Sequence, residues 1–241
     1  MLNLLGSIAG MTAILVNAVV FTAALPATTR KWLVAAIAGA WVGLASGVGA
    51  TGALGVAPGQ AVPLLGVLFA LPLLASAALA AFSKATRAAL MGIPSQVLIG
   101  LNISRVLGVL FLLLAATGRL AGPFPYFAGI GDIIAGAAAF TLVRSMSRGE
   151  PVAAARIRAW NWFGTFDLVL AVTLGMTSAN GSPIQVIHVG AGSEAVQYLP
   201  FCLIPTVLVP FYLITHALLA VKLRRARSPG FAVRPSPSPS V

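Results

Sequence analysis

Acidic residues are almost missing from this chain of 241: Asp132, Glu150, Asp167 and Glu194 are its only four. Charged residues of both signs amount to 8%, where a soluble domain carries about 25%. With 59% hydrophobic residues and a mean hydropathy of +1.00, water is excluded as the main solvent. The lone cysteine, Cys202, can form no intrachain disulfide and lies in an apolar stretch, so it reads as a small buried hydrophobe. No basic residue precedes Arg30, so the first apolar run lacks the n-region of a cleaved signal peptide and reads as a retained helix.

Other absences narrow the chemistry. Lys31, Lys84 and Lys222, the three lysines, all stand at the edges of apolar segments, which excludes the deep Schiff-base lysine of a retinal protein. His188 and His216 are too far apart in the topology to hold a haem between them. There is no Cys/His cluster, no Gly-rich phosphate loop and no helical His-Glu-x-x-His. The chain is therefore expected to bind no metal and no cofactor, and no motif in it names a reaction. A net charge of +11 would suggest nucleic acid in a soluble protein, but the cations cluster at segment ends rather than on one face, so no nucleic-acid partner is expected.

What is present is a series of apolar runs near the length of a bilayer crossing, over 4–25, 32–54, 62–82, 94–117, 124–143, 159–177 and 199–221. Alternate connections and the tail hold Arg30 and Lys31, Lys84 and Arg87, then Arg144, Arg148, Arg156 and Arg158, then Lys222, Arg224, Arg225, Arg227 and Arg234. The opposite connections hold only Arg119. Because Lys and Arg are retained on the cytoplasmic side, the expected architecture is all-α, a polytopic transmembrane bundle of about seven helices, N-terminus out and C-terminus in. That domain covers 1–222, and 223–241 is expected to be a basic, Pro/Ser-rich disordered cytoplasmic tail lying on anionic headgroups. Gly39, Gly43 and Gly47 form a small-residue stripe that suits intrachain packing or a homo-oligomer contact. Pro200, Pro205 and Pro210 should bend the last helix and free carbonyls that need other donors. Trp32, Trp41, Trp160 and Trp162 suit an interfacial aromatic belt.

Three ionisable residues fall inside the expected helices, where a charge costs at least about 2.5–3.5 kcal/mol. Counting residues at 1.5 Å each from the helix ends puts Arg105, Asp132 and Asp167 all roughly 12–17 Å deep, near the centre of a ~30 Å core. The inexpensive arrangement is for them to face one another, with Arg105 pairing with Asp132 or Asp167. One cation against two carboxylates leaves one acid short of a partner, and that acid is expected to hold a proton near neutral pH. Nearer the cytoplasmic ends, Asn102, Asn161 and His216 are expected to line an inward vestibule, His216 being titratable.

Gly129-Ile-Gly131-Asp132 also resembles the Gly-x-Gly-Asp signature of intramembrane aspartyl proteases, with Asp167 as the second carboxylate. The order is reversed relative to those proteases, and Arg105 at the same depth would quench a dyad, so protease is the most remote reading. Asn102-Ile-Ser-Arg105-Val-Leu-Gly108, Gly129-Ile-Gly-Asp132, Asn161-Trp-Phe-Gly164-x-x-Asp167 and Ile204-Pro205-x-x-Leu-Val-Pro210 followed by His216 together resemble small bacterial inner-membrane proteins without assigned function. The resemblance spans the fourth to seventh helices and implies a bacterial plasma membrane. The expectation is a small permease or proton-linked transporter whose partners are the lipid bilayer and a small molecule or proton. The alternative is a membrane sensor or assembly subunit in which the charged triad is a structural lock.

Overall fold

The computed structural model describes residues 1–56 and 63–225. Val62, the first residue of the third expected span, and the tail from residue 226 lie outside the described residues. Within them the chain is helical, with α1 (Leu2–Ala24), α2 (Lys31–Ala50), α3 (Leu64–Phe82), a short α4 (Lys84–Gly92), α5 (Ser95–Ala116), α6 (Phe124–Ser147), α7 (Ala154–Thr177) and α8 (Ile204–Arg225). Six of these, α1, α2, α3, α5, α6 and α8, are long and apolar enough to cross a membrane. The 24-residue α7 matches α6 in length, but Arg156, Arg158, Asn161 and Asp167 dilute its hydropathy.

The centre of the bundle is α5, α6, α7 and α8, with α1 packed on α5, α2 on α1 and on the start of α8, and α3 on α8. Burial follows this order: half of the α5 span is inside the protein, but only 6% of α3. The peripheral helices present Leu, Val and Ile outward, as lipid-facing helices do.

Helix ends run past the apolar segments. α6 continues to Ser147 and α7 begins at Ala154, because a helix that has left the hydrocarbon needs no further apolar residues to persist. α4 belongs to no expected span: Ser83 Oγ caps it by accepting from Thr86 N at 3.1 Å, and Lys84 and Arg87 stand exposed on it.

The last helix starts at Ile204 rather than 199, with a π-helical stretch over Ile204–Leu208. Pro210 has no N–H for the Thr206 carbonyl four residues earlier, and Trp41 Nε1 donates to that carbonyl at 2.9 Å. Trp41 is thus a helix-to-helix tie, not only a member of an interfacial belt. Gly39, Gly43 and Gly47 lie on the exposed face of α2, where an added Cβ would meet nothing within 4 Å. Among the described residues no packing uses the stripe.

Candidate functional site

Arg105 sits in the middle of α5, on a stretch wound as a 3-10 helix, Leu101–Gly108. Glycines on both sides bring this stretch against α6 at backbone distance. A Cβ on Gly136 would stand 2.7 Å from Val106 N, and one on Gly108 would stand 2.7 Å from Gly129 O. Small residues are what allow helix backbones to approach this closely in a membrane, and the approach carries Asp132, one turn past Gly129, to the guanidinium.

The guanidinium is fully enclosed and every nitrogen has a partner. Nε donates to Asp132 Oδ1 at 2.7 Å and Nη2 to Asp167 Oδ2 at 2.5 Å. Nη1 donates to the Gly164 carbonyl at 3.2 Å and faces His216 Nε2 at 3.2 Å. An arginine can only donate, so His216 Nε2 is the acceptor and the ring proton is on Nδ1. That proton is given to Asn161 Oδ1, 2.9 Å away, which makes His216 a neutral spacer with a fixed tautomer. Nε and Nη2 lie along one edge of the fork, so the two carboxylates line up side by side, with one positive charge between two negative ones. Their side chains are not equally covered: Asp132 is 14% exposed and Asp167 7%.

Two further glycines make room for this. A Cβ on Gly131 would collide with the Asp167 carboxylate, and one on Gly164 would stand 2.6 Å from the His216 ring and 2.9 Å from Arg105 Nη1. Trp160 closes the far side of His216 with ring centroids 5.0 Å apart, and its Nε1 donates to the Ala135 carbonyl at 2.9 Å. Trp160 is therefore a buried wall of the site, not part of an interfacial belt.

The structure brings Arg105, Asp132, Asp167, Asn161 and His216 into one network. It leaves Asn102 outside it: the Asn102 Nδ2 donates to Leu98 O and Thr215 Oγ1, both at 3.0 Å, and its Oδ1 has no partner. The inward vestibule expected for these residues is not what they line. Asn102, Asn161 and His216 are 0%, 6% and 1% exposed, because Leu98, Ile99, Leu142, Trp160 and Leu219 pack into an apolar cluster at that end of the bundle.

Ser104 and Tyr212 extend the site and were not apparent from the sequence. Ser104 Oγ and Tyr212 Oη are 2.9 Å apart, and Asn17 Nδ2 donates to Ser104 Oγ at 2.9 Å. Both signals were there to be used: Ser104 adjoins Arg105, and Tyr212 is one helical turn before His216, on the same face. Ser104, Tyr212, Arg105 and Asp132 share the wall of a cavity of about 30 Å³, room for a water molecule but not for an organic substrate. A polar cluster of this kind can hold helices together or take up and release a proton.

Residues 62–224 match the model of a domain of unknown function (DUF8737), a stretch that contains every ionisable member of the network. No curated protein and no solved structure matches the chain.

Proposed function

The chain belongs to the DUF8737 family, and we propose that it is a small proton-linked permease of a bacterial inner membrane, with Arg105, Asp132 and Asp167 as its ionisable centre. The observation that supports this best is the placement of Asp132. One of its oxygens is bound to Arg105 while the side chain keeps its 14% exposure, and it borders the 30 Å³ cavity that Ser104 and Tyr212 also face. The cluster has one cation and two carboxylates, an excess of one negative charge that a single proton cancels. Intramembrane ionisable groups usually mark ion or substrate paths.

In this reading α7 is the seventh span. Asn161 and Asp167 are buried at the bundle centre and Arg156 and Arg158 stand in the first turns of the helix, which offsets the low hydropathy of its sequence, and α7 packs against both α6 and α8. Seven crossings with the cations at alternate ends give an N-terminus outside and a C-terminus inside. The state described is occluded, since the cavity is water-sized and the cytoplasmic end is packed.

A structural lock is the second reading, favoured by the complete enclosure of Arg105 and the engagement of all its nitrogens. Buried ion pairs of this kind can supply specificity of packing alone. Proteoliposomes loaded with a pH indicator and challenged with pools of small metabolites separate the two. A permease gives a pH signal with some pool, lost in Asp132→Asn; a lock gives none, and a signal that survives Asp132→Asn removes Asp132 from the coupling role.

A further inference from the structure

An open groove of about 350 Å³ runs between the outer ends of α1 and α2, where Asn3, Ser7 and Ser46 face it. Its inner wall is made of Gly6, Gly10, Pro200 and Leu203, and the same four residues also line the cavity beside Asp132. Groove and cavity are thus separated by one layer of side chains, two of whose members have no side chain at all. On the cavity side stands the Phe201 ring, so close to α1 that a Cβ on Gly6 would be 2.5 Å from its Cε1. The Arg119 guanidinium lies 5.3 Å from the centre of that ring, and its Nη1 donates to Asn3 Oδ1 at 2.6 Å. The partition on this side is one layer, backed by the buried Phe201 ring, whereas the cytoplasmic side of the cluster is several apolar side chains thick.

We infer that the groove between α1 and α2 is the water path by which Asp132 exchanges its proton with the outer side, and that Phe201 resting on Gly6 closes it. The inference rests on the proton-linked reading of Asp132 and adds its direction and its gate. A hydronium ion in the groove gives its proton to the Asp132 carboxylate and leaves as water; the cluster passes from one net negative charge to none, and release reverses both. The groups facing Asp132 are Arg105, Tyr212 and, across the guanidinium, Asp167, while His216 is turned away towards Asn161.

The test uses the full chain in lipid with Cys202→Ser, carrying Gly10→Cys, Ser46→Cys or Gly39→Cys. An added Cβ meets nothing within 4 Å at Gly10 or Gly39, and serine to cysteine changes the shape of residue 46 little. A charged, membrane-impermeant thiol reagent added outside should modify Gly10→Cys and Ser46→Cys and spare Gly39→Cys, which faces lipid. If the groove positions resist as Gly39→Cys does, the groove is filled by lipid and the route is wrong, whatever Asp132 does. Modified Gly10→Cys protein should then lose fast hydrogen–deuterium exchange at the buried carboxyl, read by infrared spectroscopy; unchanged exchange also overturns the route. A missing carboxyl signal in unmodified protein would instead remove the proton reading, and this inference with it.

Discussion

A β-carbon on Gly131 would fall on the carboxylate of Asp167. The glycine on α6 is thus part of the seat of an acid on α7, and the two helices cannot carry the pair to Arg105 with anything larger there. Gly131→Ala is expected to shift the carboxylate or part the helices, at a cost of about 1–3 kcal/mol, the usual range for overpacking. Thermal denaturation in detergent should show the loss, with Gly39→Ala, on open surface, unchanged as the control. Equal stability of the two variants would contradict the packing described.

Removing either acid's charge should be felt unequally. Asp167 is the more enclosed of the two, 7% against 14%, and Asp167→Asn strips Arg105 of the partner on its Nη2. Breaking a buried ion pair from one side costs about 3–5 kcal/mol, so the yield of folded protein should fall sharply. Asp132→Asn is expected to fold near normally, since a neutral acid and an amide are alike in shape. The reverse order of yields would assign the proton to Asp167.

His216→Phe keeps the ring against Trp160 but removes the acceptor for Arg105 Nη1 and the donor to Asn161 Oδ1. Leaving such groups unpaired costs about 1–3 kcal/mol. The expected result is a lower melting temperature than the parent and no rescue at low pH. Parent-like stability would show that the histidine bonds contribute nothing net.

Orientation is testable without any assumption about the site. Cysteines placed at Arg119 or Val186 should react with impermeant reagent from outside, and those at the exposed Lys84 or Arg148 only after the membrane is opened. Reactivity of Lys84→Cys from outside would reverse the topology.

The helical plan was legible because hydrocarbon thickness imposes a length on each apolar run, and the depth of Arg105, Asp132 and Asp167 followed from counting residues at a fixed rise. Counting gives depth but not azimuth. That is why the sequence offered Asp132 or Asp167 as partner and the structure gives both to one guanidinium. It is also why Asn102, at a plausible depth, turns out to bond Thr215 instead. Tyr212 and Ser104 stayed hidden since neutral hydroxyls cost little in a helix, so that only their spacing from His216 and Arg105 marks them. Trp160 was misplaced for a similar reason: an indole near a helix end suits both a headgroup belt and a buried wall, and only the packing of α8 decides.

The measurement closest to the central claim is an infrared titration of the purified protein in lipid, with Asp132→Asn and Asp167→Asn beside it. The account predicts a protonated-carboxyl band that is present near neutral pH, responds to pH and deuterium, and disappears in Asp132→Asn while the protein stays folded. Two carboxylates that remain ionised down to about pH 4, where a solvated Asp titrates, would contradict it and leave Arg105, Asp132 and Asp167 as a lock.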